Sequence, residues 1–224
     1  MLEAKKDTTE PPGATKDLTA ELKQYHNTQV EELISIKSSA DVYEARSMLI
    51  NFFWGRKGIP TDKPPLLIQS EGNGEFFKSM SSIERIDKLI VKMDFGLESH
   101  IFHFLPKDNN GKIILFHQGH KNYYMKGRHL KQFLDRGYSV VVFCMPLLCL
   151  NNRPTVVLPR LGQMKITSHD QMRFINVQSG HQLKFFIEPV VVVLNYLQKN
   201  YEYRHIAMIG ISGGGWTTTL AAAI

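Results

Sequence analysis

The spacing of apolar residues along this chain changes near residue 83, from a helical rhythm to a strand-like one. Before that point, Leu18 to Ile36 and Ala40 to Trp54 place apolar side chains three and four residues apart. In the second stretch Val42, Ala45, Leu49, Phe52 and Phe53 form one stripe, with Ser39 or Asp41 placed to cap its start. Gly58, Pro60, Pro64 and Pro65 then break the pattern. Residues 1–16 are polar and contain Pro11-Pro12-Gly13, which predicts a disordered lead-in. Residues 17–78 read as a helical N-terminal extension.

From Ile83 the texture is that of strands. Ile86 to Met93 and Ser99 to Leu105 each suit one, with Asp94-Phe95-Gly96 as the turn between them. Asp108-Asn109-Asn110-Gly111 is a strong turn signal and leads into the continuous apolar run KIILF. Lys126 to Arg136 has helical spacing and stops at Gly137, and YSVVVFCM from Tyr138 to Met145 is a second buried strand. Residues 147–180 contain Pro and Asn without regular spacing and read as an inserted loop or cap. His181 to Tyr201 predicts a long helix that includes Pro189, His205 to Ile211 a last strand, and Trp216 onward a helix. Strands alternating with helices predict an α/β fold: a mostly parallel sheet with helices on both faces and an antiparallel edge from the first two strands. In such sheets the chemistry lies at the carboxyl ends of the parallel strands.

Composition narrows the classes. The chain has 224 residues, 43% hydrophobic and 21% charged, with 16 Gly and 10 Pro. These values suit one large globular domain, 79–224, with an extension, and set aside collagen-like or low-complexity readings. No signal-peptide core precedes residue 17, which weighs toward the cytoplasm. The net charge of +6 is spread along the chain, and its densest part, His120 to Arg136, carries no nucleic-acid reader motif. No nucleic-acid partner is expected. Ile206 to Ile224 carries no ionisable side chain, but the Gly cluster at its centre and the threonines after it argue against a membrane span. Cys144 and Cys149 sit five apart in an apolar run and read as buried thiols; no second pair exists for a zinc site. Neither a metal nor a cofactor is expected.

One constellation carries chemistry. At the carboxyl end of the last strand, Gly210-Ile211-Ser212-Gly213-Gly214 matches G-x-S-x-G, the nucleophile elbow. A serine on a tight strand-to-helix turn needs small neighbours two before and two after it. The strand KIILF runs directly into His117-Gln118-Gly119-His120. In elbow enzymes one oxyanion donor is the N–H after the serine and the other comes from the loop after such an earlier strand. That assigns Gly213 and His120 as backbone donors, with Gly119 the loop glycine. Tyr123, Tyr124, His169 and Asp170 are candidates to line the pocket.

These residues, over about Ile83 to Ile224, resemble the amino-terminal half of the α/β-hydrolase family. SGGGWTTTLAAA and the HQGH loop look most like bacterial esterases of the acetyl-ester and dienelactone hydrolase kind, although that family commonly reads His-Gly where Gln118 precedes Gly119 here. The resemblance implies a serine hydrolase acting on a small-molecule ester, with Ser212 as nucleophile and with the triad acid and then histidine following it in the chain. GGGWTTTLAAAI, the residues after Ser212, contains no Asp, Glu or His. The expectation is therefore a core that stops after its elbow and lacks the triad acid and base. A non-catalytic fragment or pseudo-enzyme of the same fold is the main alternative, and a prolyl-oligopeptidase-like peptidase a further one. A nucleotide-binding domain is disfavoured, since neither G-x-G-x-x-G nor G-x-x-x-x-G-K-[ST] is present.

Overall fold

A computed structural model describes residues 30–70, 80–120, 128–159 and 161–224. The chain divides into two compact units, Met1–Tyr43 and Glu44–Ile224. Within the first, residues 37–41 form a helix start. The Asp41 carboxylate accepts the Lys37 and Ser38 N–H groups, each at 2.8 Å, and the Ser38 hydroxyl accepts the Asp41 N–H at 3.3 Å. This reciprocal cap makes Ser38 the capping residue of helix α1 (Ser39–Trp54), with Asp41, one of the two residues expected from sequence, as its partner in place of Ser39.

The second unit is built on a six-stranded sheet. Its strands are β1 (Leu66–Ser70), β2 (Ile83–Lys92), β3 (Glu98–Pro106), β4 (Lys112–His117), β5 (Ser139–Phe143) and β8 (His205–Gly210). Their order across the sheet is β1-β2-β3-β5-β4-β8. β1, β2 and β3 pair antiparallel, β3 also meets β5 antiparallel, and β5, β4 and β8 run parallel. β1 lies in the stretch read from sequence as helical, and the antiparallel edge therefore has three strands rather than two. Residues 147–180 hold a hairpin of β6 (Thr155–Leu158) and β7 (Gly162–Lys165) and a 3₁₀ helix at His169–Phe174, where no regular structure was expected.

Alternation along the strands sends side chains to two cores. Ile113, Leu115, Val141 and Phe143 pack with Leu89 and Ile101 against α3 (Lys184–Asn200). Ile114, Phe116, Val140 and Val142 pack with Ile86 and Phe104 against Leu130 and Leu134 of α2 (Arg128–Leu134). The first turns of α3 are buried all round, Pro189 included. Helix α4 (Gly213–Ala222) packs beside α3, and helices cover both faces as predicted. Among the described residues β8 is the outermost strand on its side; Ile206, Ile209 and Ile211 are exposed.

Cys144 and Cys149 are not free thiols. They form a disulfide with Cα atoms 6.2 Å apart, closing the loop that leaves β5. Asn151, buried, fastens that loop: its amide donates to the Cys144 and Met145 carbonyls, and its oxygen accepts the His100 N–H at 2.7 Å. Among the described residues no helix is long and apolar enough to cross a membrane.

Candidate active site

The parallel strands end at one level. His117 of β4 is in register with Phe143 of β5 on one side and Gly210 of β8 on the other. The segments leaving them converge, as parallel strands require at their carboxyl ends. They are Gln118–His120, the disulfide loop and the turn at Ile211–Ser212.

β8 passes into α4 through a very tight turn. The Ile211 N–H donates to the His117 carbonyl at 3.1 Å, and the Gly214 and Gly215 N–H groups donate back to Ile211 and Ser212 at 2.9 and 2.8 Å. Ser212 is pinched between them at φ 55°, ψ −125°, a conformation L-residues rarely adopt and one that costs about 1–3 kcal/mol. The flanking glycines are there for close approach. A Cβ at Gly210 would strike the Gly214 carbonyl and the Thr218 hydroxyl, and one at Gly214 would strike the His117 and Gln118 carbonyls. At Gly119 a Cβ would stand 2.8 Å from the Ser212 Cβ. The loop after β4 and the turn at Ser212 thus touch backbone to backbone.

The Ser212 hydroxyl is exposed and has no hydrogen-bond partner among the described residues. The N–H groups of Gly213 and His120 likewise reach no described acceptor. Over Gly213 lie two side chains: a Cβ placed there would be 2.6 Å from Met145 Sδ and 2.9 Å from His120 Cε1. His120 in turn meets His169, Nε2 to Nδ1 at 3.2 Å, and His169 Nε2 reaches the Pro146 carbonyl at 2.7 Å. The His169 ring stands edge-on to Phe186 at 5.0 Å between centroids, and Phe186 edge-on to Trp216 at 5.7 Å. Burial lowers the His169 pKa, with His120 adding to the effect against the Pro146 hydrogen bond and Asp170.

His117 supports the site from below. Its Nδ1–H donates to the Gln118 carbonyl at 2.9 Å, its ring stacks on Phe143, and burial pushes its pKa down to about 4. It is a neutral brace. His103 is distant, on β3, with β5 and β4 between it and β8. Of the residues singled out from sequence, the structure brings together Ser212, Gly213, Gly210, Gly214, Gly119, His120 and His169. Asp170 is exposed beside them, and Tyr123 and Tyr124 lie outside the described residues. Met145, the Pro146 carbonyl and Phe186 were not anticipated; for Met145 the signal was its place just beyond the carboxyl end of a parallel strand. No three His, Cys, Asp or Glu side chains among the described residues form a metal cluster.

No family model matches the sequence, and no curated protein matches it. Solved structures do. A methylesterase aligns with a TM-score of 0.55 at 13% identity, over 93% of this chain and 43% of its own. A Bacteroides fragilis protein assigned as an acetyl xylan esterase aligns at 0.54 and 13%, over 81% of this chain and 49% of its own. Acetyl xylan esterase 1 of a Thermoanaerobacterium aligns over 81% of this chain and 54% of its own, at 14% identity and a TM-score of 0.45. The chain spans about half the length of these structures. The first two alignments, with the mixed sheet and its helices on both faces, identify the architecture as that of the α/β-hydrolase fold.

Proposed function

We propose that this protein is a serine hydrolase of carboxylic esters that works through a nucleophile elbow. Ser212 Oγ forms the bond to the ester carbonyl carbon. The carbonyl π electrons move onto oxygen, and the N–H groups of Gly213 and His120 hold that oxyanion until the alcohol leaves. The observation that carries this reading is the positive φ of Ser212, held between glycines that exclude any larger residue. The esterase names of the two structures above 0.5 in TM-score favour an ester over other acyl substrates.

The proton of the attacking hydroxyl needs an acceptor, and no described imidazole or carboxylate hydrogen-bonds Ser212. The same observation favours the second reading, a non-catalytic protein of this fold. Incubation with a fluorophosphonate probe tests both: peptide mapping should place the label on Ser212, and Ser212→Ala should abolish it. Equal labelling of the Ala variant overturns the proposal. A labelled chain that cleaves aryl acetates no faster than its Ala variant favours the second reading, and cleavage of peptide but not ester substrates favours a peptidase.

A further inference from the structure

The paired imidazoles beside the elbow have a determined protonation pattern. The Pro146 carbonyl can only accept, so His169 Nε2 carries the hydrogen in the 2.7 Å contact. Neutral His169 then has a bare Nδ1, which also can only accept. The 3.2 Å contact therefore requires a hydrogen on His120 Nε2. In the neutral ring that leaves His120 Nδ1 as a bare lone pair. Its ring carbon Cε1, adjacent to both nitrogens, is the atom that approaches Gly213. Burial keeps His169 neutral, and the edge contact with Phe186 fixes its ring plane.

We propose that His169 is a positioning residue that locks His120 in the Nε2–H tautomer, so that the His120 ring offers the site a hydrogen-bond acceptor, suited to a hydroxyl carried by the ester, and not a further donor to the oxyanion. The proposal rests on the esterase reading for its substrate and adds to it the part played by a side chain from the inserted segment. The His120 backbone N–H and ring act differently: the first faces developing negative charge, the second selects for a donor near it. His169 lies 49 residues from His120 in sequence, so the inserted segment and the loop after β4 specify this acceptor jointly.

Long-range ¹⁵N–¹H NMR of the full chain, labelled at histidine nitrogens and held at pH 8, reads the tautomer directly. Wild type should show His120 with Nε2 protonated and Nδ1 bare; the opposite tautomer, or a mixture, overturns the proposal with no variant needed. His169→Phe keeps a ring against Phe186 but removes the acceptor and should give a tautomer mixture. His169→Asn, with an amide oxygen near the Nδ1 position, should restore the wild-type pattern. An unchanged pattern in His169→Phe overturns the positioning role. Shift titrations with glycerol monoacetate and ethyl acetate test the acceptor: one added neutral hydrogen bond predicts about fivefold tighter binding of the first, and a smaller preference in His169→Phe, where only part of the population keeps Nδ1 bare. Equal binding of the two esters to wild type refutes the acceptor role alone, whereas no shift of the Gly213 amide with either ester refutes the ester-binding reading beneath it.

Discussion

Lowering the pH from 7.5 to 5 should strip this protein of a large part of its stability, and most of the loss should trace to two histidines. His103 is fully buried, with 0% of its surface exposed. Its Nε2 contacts the Tyr203 hydroxyl at 3.0 Å, and its Nδ1 has no partner among the described residues. A proton added at Nδ1 would place a cation in the core with no acceptor, near the Arg85 guanidinium that is paired to Asp87. Burial first, and then Arg85, lower its pKa to about 3. The unfolded chain, with an ordinary histidine pKa near 6.5, therefore binds the extra proton between pH 6.5 and 3 while the folded chain does not. Stability is complete above pH 6.5 and falls as the pH drops through that window. At pH 5 the loss from His103 is about 2 kcal/mol, and His117, with its pKa lowered to about 4 by burial, contributes about 2 kcal/mol more. A total of about 4 kcal/mol is a large share of the 5–15 kcal/mol typical of folded domains. Urea unfolding followed by far-UV circular dichroism at both pH values measures it, and His103→Phe should remove about half of the pH-dependent part. If that variant loses as much stability on acidification as wild type, the account of a neutral, unsatisfied His103 is wrong.

Three further outcomes follow from the site and its loop. Gly214→Ala drives a methyl group into the His117 and Gln118 carbonyls; a cost of about 2–3 kcal/mol should lower the thermal midpoint by about 5–10 °C, and a change under 2 °C would show the loop free to move aside. Ser212→Gly relieves the positive φ and should raise stability by about 1 kcal/mol after the entropy of glycine is subtracted, seen as a higher midpoint in the variant that abolishes fluorophosphonate labelling; a lower midpoint argues against strain at the elbow. Reduction of Cys144–Cys149 should cost about 2 kcal/mol for a loop this short, so dithiothreitol should lower the wild-type midpoint and leave the Cys144→Ser/Cys149→Ser double variant unchanged, an equal shift in both being the contrary result.

What could be read in the sequence was whatever local pattern decides. KIILF and YSVVVFCM are buried on both faces and so appear as unbroken apolar runs, which is how strands between two helical layers look. The tight turn at Ser212 was legible because close backbone packing admits only glycine at Gly210 and Gly214. β1 was not: LLIQS is short, follows two prolines, and becomes a strand through pairing with residues 86–90, a contact no local pattern encodes. The β6–β7 hairpin was hidden for a like reason, since it is built from two four-residue strands. The disulfide was misread because an apolar setting suits buried thiols and bridged ones alike. The loop's backbone decided the matter, with Leu147 and Cys149 both at positive φ bringing the sulfurs together. The meeting of His120 and His169 depends on the path of the whole inserted segment, and nothing in either residue's neighbourhood announced it.

The place of β8 bears on how the site would fail. The strand that delivers Ser212 is hydrogen-bonded to β4 on one side, and its other edge has no described partner. Its amides should therefore be among the first in the sheet to exchange with deuterium, ahead of those in β4 and β5, which are flanked on both sides. Each such excursion pulls Gly210 and Ile211 away from His117 and takes Ser212 and Gly213 together away from His120. Warming should then erase Ser212 labelling several degrees below the temperature at which the two cores melt, so that loss of reactivity reports the fraying of one strand and not the unfolding of the molecule.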